Sequence, residues 1–229
     1  MQSPNLNTTA ILLFANSHGV DSLRKNIPQS SPLFKSLNDE IISKVEKTGL
    51  PYFLYSEELQ IGSDFGTRFT AAIQSIFSKG FDSVITVGND TPNLSVSTLQ
   101  RAYENLIQGK TVVGPSTDGG IYLLGIHKNR FEADGFRQLP WQKQKLFQET
   151  ARFFMRRGVL HQLPRLTDID SVSDIQMVIR HRGSMSSKLF RLLLAIVRRK
   201  QRICSYHHKS QQLVAINDPF NKGSPSLSF

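Results

Sequence analysis

Four carboxylates stand where this chain could do chemistry. Asp90 and Asp118 lie in VITVGNDTPNL (84–94) and VVGPSTDGGIYLLGI (112–126), each past a short β-branched run that breaks into Gly, Pro, Asn and Asp. Such a run reads as a buried strand and the break as its end. In an open α/β sheet ligands sit beyond the carboxyl ends of the strands, so both acids would face one cleft. Carboxylate oxygens there suit Mg²⁺ or Mn²⁺ held against phosphate. The local alternative is a turn at Asn89-Asp90-Thr91-Pro92 whose Asp caps backbone amides, and a hairpin turn at Asp118-Gly119-Gly120. The other two acids, Asp168 and Asp170, precede IQMVI in TDIDSVSDIQMVI (167–179). Ser171 and Asp174 there have the spacing of a capping box, which leaves Asp168 and Asp170 as loop caps or as a source of a metal ligand.

Cationic and glycine-rich stretches complete the candidate chemistry. SHGVDSLRKNIP (17–28) follows the first apolar run and carries Arg24 and Lys25, able to contact a phosphate or to remain a solvated pair. IGSDFGTRF (61–69) sets Gly62, Gly66 and Arg68 immediately before a helical pattern. A glycine-containing loop at a helix start can bring backbone N–H groups to an anion, with Arg68 adding a fork. Ser63 or Asp64 as a plain N-cap is the simpler reading.

The elements that must position these residues follow from periodicity. TTAILLFAN (8–16), LPYFLYS (50–56), Phe81 to Val87, TVVGP (111–115), IYLLGI (121–126) and VLHQLP (159–164) read as strands. Between them, Leu33, Phe34, Leu37, Ile41, Ile42 and Val45 recur at spacings of three and four, as an amphipathic helix does. Further helices run through Phe69, Ile73, Ile76 and Phe77, from a Ser95 cap through Leu99, Tyr103, Leu106 and Ile107, and, after Trp141, through Leu146, Thr150, Phe153 and Phe154. The first crossovers are long enough for parallel pairing, whereas 111–115 and 121–126 are joined too tightly for a crossover helix. The expected fold class is therefore α/β, with a mostly parallel mixed sheet and one antiparallel excursion.

The chain of 229 residues carries a net charge of +10, but the charge is concentrated at one end. From Arg180 onward ten Lys and Arg face one acid, Asp218, which leaves residues 1–179 at +1. The candidate site thus lies in a nearly neutral body, and no nucleic-acid partner is expected for it. MSSKLFRLLLAIVRRKQRIC (185–204) reads as a basic amphipathic helix. Docking on its own domain is the favoured reading; a peripheral membrane or protein contact is the alternative. The expected organisation is a domain over 1–182, the basic helix over 183–204 and a polar tail over 205–229. No apolar run reaches eighteen residues, and the opening MQSPNLNTT has no basic n-region, so the expectation is a cytoplasmic protein. The single cysteine, Cys204, leaves no intramolecular disulfide to form.

Taken together and in order, IGSDFGTRF, VGNDTPNL, VGPSTDGGIYLLGI, LPW and LTDIDSVSD resemble a bacterial family of glycosyltransferase-A-like proteins in the nucleotide-diphospho-sugar transferase superfamily. The resemblance covers roughly residues 50–180 and implies a three-layer, Rossmann-like GT-A fold. It implies a metal-dependent glycosyltransferase taking a sugar from a nucleotide-diphospho-sugar to an acceptor. The alternatives are a nucleotidyltransferase using a nucleoside triphosphate and a phosphorylated acceptor, and an inactive member acting as a binding module. By position, Asp90 falls on the superfamily's metal-binding acid, with Gly88 in the slot of a second Asp. Asp168 or Asp170 would supply the remaining metal ligand, for Mg²⁺ or Mn²⁺. Gly62, Gly66 and Arg68 would border the nucleotide, Arg24 and Lys25 would replace a Lys-Thr-Arg-Leu-like block, and Asp118 would orient or deprotonate the acceptor hydroxyl.

Overall fold

The computed structural model describes residues 8–199 apart from 26, 28, 29 and 182; Cys204 and the expected tail over 205–229 lie outside them. The described chain opens with β1 (Thr9–Phe14), followed by α1 (His18–Arg24), α2 (Ser31–Glu46) and β2 (Tyr52–Tyr55). Then come α3 (Phe65–Ser78), β3 (Ser83–Val87), α4 (Val96–Ile107), β4 (Thr111–Pro115) and β5 (Ile121–His127). The chain continues through α5 (Ala133–Arg137), α6 (Leu146–Met155), β6 (Leu160–Gln162) and α7 (Val172–Arg180), and a further helix spans 187–199.

The six strands form one sheet in the order β2-β1-β3-β5-β4-β6. β1 pairs in parallel with both β2 and β3, and β4 with β6, while β5 runs antiparallel between β3 and β4. The mostly parallel mixed sheet with one antiparallel excursion is the expected one. Because β2 lies on one side of β1 and β3 on the other, the strand order reverses at β1, and such a reversal opens a crevice at the carboxyl ends of the strands.

Alternation along the strands builds the layers, as successive side chains of a strand point to opposite faces. Ile11 and Leu13 join a cluster with Ile41 and Val45 of α2 and Leu99, Ala102 and Leu106 of α4. Ala10 and Leu12 join the opposite one, with Ile73 and Ile76 of α3, Phe136 of α5 and Phe154 of α6. A third cluster extends the domain: Leu33, Phe34 and Leu37 from the start of α2 pack with Ile175 and Val178 of α7 and with Leu189, Leu193 and Val197. The last three recur every fourth residue along the helix over 187–199, which therefore turns its apolar stripe onto its own domain. Ser186 fixes its start by accepting from the Leu189 N–H, and its own backbone N–H and hydroxyl donate to Glu40 of α2. Among the described residues no helix is long and apolar enough to cross a membrane.

Two helices were not expected from periodicity. α1 and α5 are seven and five residues long, too short to show a repeating apolar face, and each is held by a polar cap. The Ser17 hydroxyl accepts from the Val20 N–H at the start of α1, and the Glu132 carboxylate accepts from the Asp134 and Gly135 N–H groups at the start of α5.

Candidate active site

The crevice at the strand reversal is a cavity of about 300 Å³. Asn16 past β1, Asp90 past β3 and Tyr122 at the start of β5 reach it from the sheet, Lys25 from the end of α1, Arg68 from the first turn of α3 and Asp170 from the loop before α7. β5 contributes by its amino end because it runs antiparallel, so the Asp118 turn between β4 and β5 opens onto the same cavity. The lining includes five carboxylates (Asp21, Asp90, Asp118, Asp168 and Asp170) against three cationic side chains (Arg24, Lys25 and Arg68).

Lys25 is the node of this arrangement. Its Nζ donates to Asp90 Oδ2 at 2.7 Å and to the Ile169 carbonyl at 2.8 Å, and lies 3.0 Å from Asp170 Oδ1. The ammonium also sits 5.7 Å from the centroid of the buried Phe34 ring. Burial alone would favour the neutral amine, but the two carboxylates outweigh it and hold the Lys25 pKa above its ordinary value, so the group is charged at neutral pH.

Asp168 is in a different state. Its two oxygens accept from the hydroxyls of Thr91 and Ser116, pinning the 168–170 loop to the ends of β3 and β4. Burial, with the nearby charges of Asp90 and Asp118, pushes its pKa up to about 7 against the opposing pull of those two hydrogen bonds. Asp118 is exposed and accepts from the Gly120 N–H at 2.9 Å, so it shapes the hairpin turn while lining the cavity. The turn and the cleft, two readings of Asp118 taken from the sequence, thus describe the same side chain.

A further polar network leaves only a slight trace in the sequence. Asp21, buried inside α1, accepts from the Asn16 amide at 2.9 Å and the Asn89 amide at 2.8 Å, and Asn89 also donates to Asn38 of α2 at 2.6 Å. These bonds join the ends of β1 and β3 to α1 and α2, and so fix the floor on which Lys25 and Asp90 meet. Asn16 and Asn89 sit at strand ends, which is the one hint the sequence contained.

Seven of the predicted site residues therefore line one cavity: Arg24, Lys25, Arg68, Asp90, Asp118, Asp168 and Asp170. Gly62 and Gly66 are outside the lining. Gly66 has a packing role, since a Cβ there would lie 2.6 Å from Cδ1 of Trp141 and closer still to the Arg137 carbonyl. Asp64 is the N-cap of α3 and accepts from the Thr67 N–H at 2.9 Å, as in the simpler reading of that loop. Trp141 lines the cavity wall and donates its indole N–H to the Phe136 carbonyl.

The donor set can be tested against a divalent cation. Among the described residues no group of three His, Cys, Asp or Glu side chains is arranged to hold a metal. Asp90 and Asp170 nevertheless fit one in part: each turns a hard carboxylate oxygen onto a single point, and the Lys25 ammonium stands there as a cation. Asp168 has both oxygens engaged by hydroxyls.

Comparison with known proteins agrees with this architecture. The model of a bacterial family described as "Uncharacterized protein conserved in bacteria (DUF2064)" matches residues 54–143. No curated protein matches the chain. A crystal structure from Desulfovibrio desulfuricans, provisionally described as a nucleotide-diphospho-sugar transferase, superposes with a TM-score of 0.74 at 24% identity, covering 83% of this chain and 97% of the other. Weaker likenesses include Rv0371C of Mycobacterium tuberculosis in complex with manganese, at a TM-score of 0.44 and 12% identity over 75% of this chain and 97% of that one. Another is a cytidylyltransferase from Leptospira borgpetersenii, at 0.42 and 11% over 86% and 96%. The chain shares the fold of the Desulfovibrio protein over most of its length.

Proposed function

We propose that this protein is a glycosyltransferase that takes a sugar from a nucleotide-diphospho-sugar to an acceptor hydroxyl. The observation that carries the reading is the convergence, at the strand reversal between β2-β1 and β3, of Arg24, Lys25 and Arg68 with Asp90, Asp118 and Asp170 around one cavity. The description of the Desulfovibrio protein supports the same class.

In this reading Arg24 and Arg68 bind the diphosphate, since a guanidinium matches phosphate oxygens with a planar fork of donors. Asp90 and Asp170 hold Mg²⁺ or Mn²⁺, which when bound offsets charge on the departing nucleoside diphosphate. The excess of carboxylates over cationic side chains in the lining is what calls for an added cation before an anionic donor can enter. Asp118, exposed at the cavity rim, takes the proton of the acceptor hydroxyl. Asp168 positions the 168–170 loop through Thr91 and Ser116.

Product analysis tests the reaction class. Incubated with a panel of nucleotide sugars, the protein is expected to release a nucleoside diphosphate from one of them, slowly into water and faster once an acceptor is present. Asp118→Asn should lower turnover by roughly a hundredfold, the lower end of what general-base catalysis contributes, with donor binding unchanged. Release of pyrophosphate from a nucleoside triphosphate, with every nucleotide sugar left intact, would instead establish nucleotidyl transfer.

A further inference from the structure

We propose that Lys25 is a tethered counter-cation that competes with a divalent metal for the Asp90–Asp170 pair, and that metal arrival expels its ammonium into the cavity. The inference rests on the reading that these two acids are the metal ligands.

The geometry is that of a filled cation site. Nζ of Lys25 meets Asp90 Oδ2, Asp170 Oδ1 and the Ile169 carbonyl at 2.7, 3.0 and 2.8 Å, one acceptor for each of its three N–H bonds. A cation bound through Asp90 Oδ2 and Asp170 Oδ1 would occupy the point the ammonium now holds, so the two cannot share those oxygens. Leaving is feasible because Lys25 is the residue after α1, its stem is flexible, and its side chain already belongs to the cavity lining. The Asp90–Asp170 pair with its ammonium carries a net charge of −1, and the same pair with a divalent ion is neutral. The displaced ammonium remains in the cavity, facing the space where a diphosphate would lie. One exchange thus offsets the excess of carboxylates and frees a cationic hydrogen-bond donor for phosphate oxygens. Without metal, Lys25 keeps the two acids paired and holds the end of α1 against the loop before α7.

The test uses Mn²⁺ alone, with no nucleotide, so its result does not depend on which donor the protein takes. Free Mn²⁺ is followed by electron paramagnetic resonance during titration of the full chain. Lys25→Met is expected to bind Mn²⁺ at least about tenfold more tightly than wild type, on the scale of one close charge contact. Adding Asp90→Asn to Lys25→Met should abolish the gain. In the wild type, acylation of Lys25 read by peptide mass spectrometry should rise several-fold on adding Mn²⁺, as the ammonium leaves its carboxylates; this readout needs no variant to fold. Unchanged Mn²⁺ affinity in a folded Lys25→Met, or unchanged acylation of wild-type Lys25 at saturating Mn²⁺, would overturn the proposal. A failure of nucleotide-sugar turnover with these Mn²⁺ results intact would count against the donor reading and leave the exchange standing.

Discussion

Removing Leu189 and Leu193 together tests whether the basic helix belongs to the fold or serves as an anchor. Both side chains are fully buried, in the cluster shared with α2 and α7. A Leu→Ala change in such a position costs about 2–5 kcal/mol from lost transfer energy and the cavity left behind. The two are one helical turn apart and share partners, so their effects will not simply add; about 4 kcal/mol for the pair is the working figure. For a domain of this size each kcal/mol moves the unfolding midpoint by roughly 2–4 °C, which gives a fall of roughly 10 °C. Arg191→Ala, exposed on the same helix, is the control and should change stability by no more than about 0.5 kcal/mol. Urea titration followed by circular dichroism reads the difference. If the Leu189→Ala/Leu193→Ala curve superimposes on that of the wild type, the helix is not docked in solution. Loss of vesicle binding in that same variant would then assign the apolar stripe to a membrane.

Other consequences follow from the packing and the ion pairs. Gly66→Ala forces a methyl group into Trp141 and the Arg137 carbonyl, and should destabilise the protein by about 1–3 kcal/mol in urea titration. A stability unchanged by that substitution would mean that α3 and Trp141 are farther apart than described. Asp82 is held below its ordinary pKa of 3.8 by its hydrogen bond with Lys128, at 2.6 Å, and by the Thr8 N–H. A depressed carboxyl contributes stability above the unfolded value and loses it as pH falls through the folded one. The wild type should therefore lose stability more steeply than Asp82→Asn on acidification below pH 3.8, and parallel pH profiles would contradict this.

Much of this architecture is legible in the sequence because it rests on local or periodic signals. The strand runs, the α2 stripe, the Ser95 cap and the Ser171–Asp174 capping box each depend on residues a few positions apart, and each is found where the pattern places it. Strand ends rich in Gly, Asn and Asp likewise located Asp90 and Asp118 in one cleft. What the sequence did not reveal depends on distant partners. Lys25 reads as a phosphate contact or a solvated surface cation until the fold brings it to Asp90 and to the loop before α7, 144 positions away at the Ile169 carbonyl. Asp21 has no distinguishing sequence context; α1, itself too short for a periodic signal, buries it between Asn16 and Asn89. Gly66 resembles a ligand-binding glycine because the sequence does not show that Trp141 will pack against its Cα.

The most direct test of the central claim is calorimetric binding of a panel of nucleoside diphosphates and nucleotide sugars, with and without Mn²⁺, to the wild type and to Asp90→Ala. One diphospho-nucleotide is expected to bind in the presence of Mn²⁺, with binding lost without the metal and in the variant. Equal binding by wild type and Asp90→Ala, or no binding across the whole panel, would contradict it.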